Sequence, residues 1–332
     1  MSAAIQAPNP WHREALAQMQ AQQQEGRLPH ALLLSAAAGT GALQLAQSLV
    51  QWLLCERPRG GLACGECQGC HLSTSGTHPD LLRVAPAETG KAIRIDQVRE
   101  VVEFSARTAQ YSGYRVVLLE PAEAMNRASQ NALLKTLEEP GAQTLLLLVS
   151  YRTSALLPTV LSRCQMRRLG TPDEALALEW LAPQVGGMTP AQALLTAAGG
   201  APIKALALEQ SDGFAARGKA VAVLHRVALG EISAVSAARQ LNPSDVADWL
   251  ASCHGWVHQA LRQANGLPGV DDPQLRGPLA ALAQVPQARL LAFAEALVRA
   301  RRLHASGANP NKDLLLEQLM LVLAGIEQVA QL

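Results

Sequence analysis

Residues His30–Leu45 read HALLLSAAAGTGALQL. Ala31 to Leu34 is a short apolar run of the kind that forms a strand buried on both faces. Ser35 to Gly41 is a loop of small residues, and from Ala42 toward Leu54 apolar residues recur at helical spacing. Strand, small-residue loop and helix, in that order, are the setting of a phosphate-binding loop. The working pattern, G-x-x-x-x-G-K-[ST], cradles phosphates on backbone N–H groups, grips the β/γ-phosphates with an ammonium and holds magnesium with a hydroxyl. On this stretch it places Ala36 at the first glycine, Gly41 at the second, Ala42 at the lysine and Leu43 at the hydroxyl, with Gly39 inside the loop. The frame is kept and the phosphate chemistry is gone.

The same alternation continues outward. Upstream, Trp11, Ala15, Leu16 and Met19 predict a helix over about 10–24, stopped by the turn-rich run Glu25 to Pro29. Downstream, buried strands are expected at Leu81–Val84, Arg115–Leu119 (RVVLL) and Thr144–Val149 (TLLLLV). Helices are expected over about 96–106, over about 128–139 and from Leu156 to Arg163. Strands apolar on both faces, alternating with helices, describe a parallel α/β sheet. After Cys164 the pattern changes. Residues 171–208 read as short helices around the glycine pairs Gly186-Gly187 and Gly199-Gly200, a small helical lid. From about Phe214 the chain is Ala/Leu-rich with no strand signal, which predicts an all-α bundle. Its last helix is placed from the N-cap Asn311 to about Gln331, with Leu315, Leu316, Leu319, Leu323 and Ile326 on one side. The expected domains are 1–169, 170–210 and 211–332.

Composition sets bounds. A chain of 332 residues favours about two or three domains. Aromatic residues are 3% of it, so the cores are built mainly from Leu, Val and Ala. The formal net charge of +1 gives no strong global attraction for nucleic acid or a membrane surface. No apolar run approaches the roughly 20 residues that span a bilayer. The opening MSAAIQAPNPWHREA has no basic segment leading into an apolar one, so a cytoplasmic location is expected.

The six cysteines are then read as metal-binding, catalytic or core before disulfides are considered. Cys55, Cys64, Cys67 and Cys70 form C-x8-C-x2-C-x2-C. That spacing gathers soft thiolates at one point and suits tetrahedral zinc. Arg57, Pro58, Gly60 and Gly61 form the turns that let Cys55 reach the other three. Four thiolates leave no open position, so such a site is structural, and bound metal would order a segment poor in apolar residues. An iron–sulfur cluster takes the same ligands, and surface thiols without metal are the bland alternative. Cys164 and Cys253 read as lone core thiols.

The strand RVVLL is followed by Glu120-Pro121. In nucleoside triphosphatases a carboxylate pair at this point holds magnesium and polarises water. Glu120 can still face a cation; Pro121 supplies no base. Two independent ATPase elements are therefore defective in the same direction. Ser162-Arg163-Cys164 follows the helix after the third buried strand. In isolation Arg163 reads as a plain ion-pair residue. In this context a guanidinium offered to a neighbour's γ-phosphate becomes the stronger reading, since such a finger accelerates phosphoryl transfer by about 10³–10⁵.

Several of these segments together resemble the AAA+ clamp-loader family of the bacterial replicative DNA polymerase. They are RLPHALL (Arg27–Leu33), the degenerate loop, the four cysteines, THPD (Thr77–Asp80), NALLKTLEEP (Asn131–Pro140) and LSRC (Leu161–Cys164). The likeness covers about residues 10–170 and is weaker beyond, resting on Gly199-Gly200-Ala201-Pro202 and Asn309-Pro310-Asn311. Within the family, the broken loop resembles the member that does not hydrolyse ATP.

The resemblance implies an N-terminal AAA+ α/β domain with a zinc module, a lid and a C-terminal helical collar. It implies a hetero-pentameric ring with the gamma/tau ATPase subunits and the delta subunit. That ring loads the β sliding clamp on primed DNA as part of a DNA-directed DNA polymerase (nucleotidyltransferase) holoenzyme at the nucleoid replisome. Arg163 then acts in trans on the adjacent ATP site, zinc is structural, and no ATP hydrolysis by the chain itself is expected. Ser150 and Tyr151 fall where ATPase relatives carry a sensor. The segment near Pro202 lacks the arginine with which they sense nucleotide. The competing readings are an active ATPase of the same fold, which needs Ala42, Leu43 and Pro121 to be tolerated, and a zinc-dependent enzyme or zinc adaptor.

Overall fold

The computed structural model describes residues 5–88, 90–111, 113–210, 213–243, 246–268, 272–305 and 310–326. They divide into two compact units, residues 1–191 with 198–206, and residues 192–197 with 207–332.

The first unit is an α/β layer structure. A short 3₁₀ turn, Pro10–His12, leads into α1 (Arg13–Gln24), and β1 (Ala31–Ala36) and α2 (Ala42–Leu53) flank the loop quoted above. Then come α3 (Gln68–Ser75), β2 (Leu81–Val84), α4 (Ile95–Ser105), β3 (Arg115–Leu119), α5 (Arg127–Glu138), β4 (Thr144–Ser150), α6 (Pro158–Leu161), β5 (Gln165–Leu169) and α7 (Glu174–Leu181). The strands form one sheet in the order β2-β3-β4-β1-β5, every pair parallel. The register sets Ser35 beside Ser150 and Leu119 beside Leu148, so the segments after β1, β3 and β4 emerge together. In open parallel sheets, ligands bind outside these carboxyl ends.

Period-two alternation explains why both faces are covered. Leu32, Leu34, Val116, Leu118, Leu145 and Leu147 pack on one side with Leu16, Met19, Leu45 and Leu49 of α1 and α2. Leu33, Val117, Leu119, Leu146 and Leu148 pack on the other with Val98, Val101, Leu133, Leu137 and Val160 of α4, α5 and α6. Each fully buried leucine contributes about 1.5–3 kcal/mol over its exposed state. α2 begins at Gly41 in the left-handed region (φ 94°) and buries Ala42, Leu45, Ala46 and Leu49. α5 is capped by Asn126, whose side chain accepts from Ser129 N at 2.8 Å.

The expected elements of this unit form, and two more appear. β5, QMRRL, lies at the sheet edge beside β1, and α3 starts after Cys67 and carries Cys70. The expected helix from Leu156 to Arg163 shortens to the four-residue α6, preceded by a 3₁₀ turn at Thr153–Ala155. Pro158 explains the late start, because proline restrains the residue before it to extended backbone.

Two further helices, α8 (Met188–Ala197) and α9 (Pro202–Gln210), follow. The rest of the second unit comprises α10 (Gly213–Ala228), α11 (Ala234–Leu241), α12 (Val246–Ala264), α13 (Pro273–Leu282), α14 (Gln287–Ala305) and α15 (Lys312–Ala324). Its core holds Val221, Leu224, Leu250, Val257, Leu279, Phe293, Leu297, Leu316 and Leu319. Asn311 caps α15, its side chain accepting from Asp313 N at 3.0 Å and Leu314 N at 3.1 Å. The expected run to Gln331 is corrected: Gly325 (φ 76°) closes α15 in the left-handed region. Ile326, expected on the apolar side, is 72% exposed beyond that cap; Gln331 lies outside the described residues. No single helix among the described residues is long and apolar enough to cross a membrane.

Candidate functional site

The loop after β1 keeps its phosphate-loop backbone and turns it against the chain's own residues. Gly39 is in the left-handed region (φ 79°), and a Cβ there would fall 2.5 Å from Lys204 Cβ. The Gly39 carbonyl accepts from Ile203 N at 3.0 Å and Lys204 N at 3.4 Å. A Cβ on Gly41 would run into the Asn9 carboxamide, which is buried. Trp11 Nε1 donates to Thr40 O at 2.8 Å, and Thr40, fully buried, donates to Ala37 O at 2.8 Å. The loop is thus packed between the residues preceding α1 and the first turn of α9. Ala42 is 1% exposed and Leu43 half-buried, and neither carries a group that could hold a phosphate or magnesium.

At the end of β3, Glu120 is half-buried. It accepts a hydrogen bond from the Tyr151 hydroxyl at 2.6 Å. Tyr151 N donates to Glu123 Oε1 at 3.1 Å and Oε2 at 3.2 Å. Burial, then the Glu120 carboxylate, push the Tyr151 phenol well above its ordinary value, so it stays protonated and donates. Pro121 offers no acid–base group. Ser150 is fully buried and accepts from Arg152 N at 3.2 Å. Ser150 and Tyr151 are therefore occupied in holding the strand ends.

Arg163 follows α6 and is neither buried nor free. Its Nε donates to Glu138 Oε1 at 2.7 Å, and a terminal nitrogen reaches the same oxygen. Nη1 donates to Thr159 O at 3.0 Å. Glu138, the last residue of α5, belongs to the NALLKTLEEP segment, but its pairing with Arg163 is not legible in the sequence. The two lie 25 residues apart and no periodicity connects them.

The four cysteines do converge. Their sulfurs all lie within 4.8 Å of one another, with Cys55–Cys67 and Cys64–Cys70 each at 3.9 Å. Four sulfurs at about 2.3 Å from a zinc ion stand roughly 3.8 Å apart, so the set fits a tetrahedral metal. Every sulfur also accepts a backbone N–H. Cys55 takes that of Cys64 at 3.2 Å, Cys70 that of Gly65 at 3.3 Å, and Cys67 that of Cys70 at 3.4 Å. Cys64 takes those of Cys67 at 3.4 Å and Glu66 at 3.5 Å. Such donors favour the thiolate. They hold Cys64 down to about 6, with the Glu66 N–H the larger cause. Burial instead pushes Cys55 and Cys70 up in the absence of a cation. Gly69 must be glycine, because a Cβ would strike Leu54 O. The side chain of Cys67 caps α3. Cys253 is fully buried and Cys164 half-buried; burial pushes both thiols up, Cys164 to about 11. That agrees with lone core thiols.

These features meet known proteins along nearly the whole chain. The family described as "DNA polymerase III, delta subunit" matches residues 11–173, and "DNA polymerase III, delta subunit, C terminal" matches residues 211–325. DNA polymerase III subunit delta' of Pseudomonas aeruginosa is 38% identical over 326 residues, 96% of this chain and 97% of that protein. The chain belongs to the delta' family of DNA polymerase III subunits. The delta' protein of Escherichia coli K12 is 36% identical over 320 residues, 94% of each chain. Among solved structures, a Thermotoga maritima DNA polymerase III gamma subunit-related protein superposes with a TM-score of 0.50 at 15% identity, covering 93% of this chain and 99% of that one. That likeness concerns fold alone and agrees with the AAA+-like sheet of this delta' family chain and its helical C-terminal part.

Proposed function

We propose that the chain is a clamp-loader subunit that does not hydrolyse ATP itself and supplies Arg163 to the ATP site of a neighbouring gamma/tau ATPase subunit. The observation that carries this reading is the packed loop. Alanine and leucine stand where the phosphate chemistry needs lysine and a hydroxyl, and the Gly39 carbonyl is engaged by Ile203 and Lys204 N–H groups. Tyr151 occupying Glu120 points the same way. Arg163 is one-third exposed, open enough for a second chain to approach.

In this reading the four thiolates hold structural zinc, which would tie α3 to the end of α2. Residues 1–169 form the AAA+ domain, 170–210 a lid, and 211–332 a collar joining the ring with the delta subunit. The break in the fold after Leu206 and the family match beginning at residue 211 support the collar boundary. The ring places the β sliding clamp on primed DNA at the cytoplasmic replisome.

The test is reconstitution with the gamma/tau and delta subunits, β clamp and primed DNA. The isolated chain should not turn over ATP. Arg163→Ala should assemble and lower complex ATPase and clamp loading, since a finger contributes about 10³–10⁵ at the site it completes. Turnover by the isolated chain, or undiminished loading with Arg163→Ala, refutes the reading. A chain cut near residue 208 that still enters the ring refutes the collar assignment.

A further inference from the structure

Arg163 is held by residues of its own chain. A guanidinium has five N–H bonds in a rigid fork. Nε–H and one bond of the adjacent terminal nitrogen are directed at a single oxygen, Glu138 Oε1. Nη1 donates to Thr159 O at 3.0 Å. Its second proton has only Ser162 Oγ at 3.4 Å, longer than an ordinary N–H···O bond. N–H bonds on both terminal nitrogens are therefore left for an anion. The clamp draws on two elements: Glu138 closes α5, and Thr159 lies in α6.

We propose that Glu138 is the positioning residue of Arg163: it fixes the guanidinium in place and orientation, ready for a phosphate brought by a neighbouring subunit. The proposal rests on the arginine-finger reading above. A long, freely rotating arginine loses rotamer freedom when it meets a transition state, and a side chain already fixed loses less. The sign of the effect follows from exposure. The Arg163 and Glu138 side chains are 33% and 50% exposed, and pairs this open to water contribute little to stability. Glu138 therefore orients the fork without holding it so tightly that phosphate oxygens cannot compete. A latch restraining the arginine would need a buried, strong pair. Glu138 acts through Arg163 and does not touch the reacting phosphate.

The experiment uses the reconstituted complex with ATP, clamp and primed DNA. It compares wild type, Glu138→Ala, Glu138→Gln, Glu138→Asp, Arg163→Ala and the double variant Glu138→Ala/Arg163→Ala. Glu138→Ala should lower the turnover number by about three- to tenfold, with the KM for ATP little changed, because the interaction counts in the transition state. Glu138→Gln, which keeps an acceptor, and Glu138→Asp, which keeps the charge, should each recover part of the loss. The double variant should be no slower than Arg163→Ala alone, as expected when one residue acts only through the other. A loss in Glu138→Ala that adds in full to that of Arg163→Ala overturns the proposal, and so does a rise in turnover or wild-type turnover in both Glu138→Ala and Glu138→Gln. Arg163→Ala at wild-type turnover removes the finger reading itself, an outcome distinct from a positioning failure in which only the Glu138 variants are silent.

Discussion

The Tyr151 hydroxyl donates a 2.6 Å hydrogen bond to Glu120, joining the ends of β4 and β3 where a nucleotide-hydrolysing relative would hold magnesium. Hydrogen bonds to charged groups contribute about 1.5–3 kcal/mol. Tyr151→Phe removes the hydroxyl and keeps the ring, so the variant should lose about 1–3 kcal/mol in urea unfolding. It should gain no ATPase activity, because Pro121 still supplies no base. An unchanged unfolding midpoint would show that water satisfies Glu120 equally well.

A second polar link is buried outright. Arg115 is 1% exposed and Asp80 not at all, with Arg115 Nη2 3.6 Å from Asp80 Oδ1. The guanidinium donates to Phe104 O and Thr108 O, both at 2.6 Å, and lies 4.5 Å from the Phe104 ring centre. Asp80 accepts from Gln110 N and Tyr111 N, both at 2.7 Å. Together they fasten the segment between α4 and β3 to the start of β2. Removing one partner of a buried pair strands the other, at about 3–5 kcal/mol. Arg115→Ala and Asp80→Asn should each lower stability on that scale. Arg115→Met with Asp80→Leu should cost less than the two single losses added together but should stay well below wild type, because the Phe104 and Thr108 carbonyls and the Gln110 and Tyr111 N–H groups lose their partners, as equilibrium unfolding can measure.

The buried strands were legible because Leu32 to Leu34, Val116 to Leu119 and Leu145 to Val149 are apolar on both faces, as a covered parallel strand requires. β5 escaped notice for the opposite reason. It is an edge strand, and its Gln165, Arg167 and Arg168 face outward enough to erase the apolar signal. α3 carries no useful apolar period; Cys67 starts it and Gly76 ends it. At the loop, the missing lysine and hydroxyl were plain in the sequence, but Asn9 filling the space beside Gly41 was not, since it comes from 32 positions upstream. Nothing around Arg115 in the sequence points to Asp80, 35 positions upstream, as its buried partner. Gly325 was the one available signal that α15 stops before Ile326.

The cysteine cluster supplies a third test. Cys70 is fully buried and the other sulfurs lie around it. With so few apolar residues in the segment, bound metal would contribute much of its order. Metal analysis of the purified chain should give one zinc per chain. Chelation or Cys70→Ser should expose 55–76 to proteolysis while the sheet stays folded. Affinity should fall with falling pH, because protons compete for thiolates. A metal-free chain with the same protease resistance would remove the zinc assignment.

His12 gives the protein a predictable acid response. Its ring is 3% exposed, lies against the Gly41 backbone without a hydrogen bond of ordinary geometry, and meets Trp11 edge-on with ring centres 6.1 Å apart. Burial lowers its pKa to about 4, from an ordinary value near 6.5. The folded chain therefore takes up this proton less readily than the unfolded chain. Stability is unaffected by His12 above about pH 6.5 and falls as pH drops from there toward about 4, where the folded state begins to protonate as well. His78, lowered by burial too, acts in the same direction. His12→Phe keeps a ring beside Trp11 and removes the titration. Between pH 7 and 5 the variant should lose less stability than wild type in parallel urea titrations, with the His78 contribution common to both. Equal losses in the two proteins would mean that His12 is hydrated, and that the residues before α1 do not pack against the loop as tightly as the contact between Asn9 and Gly41 requires.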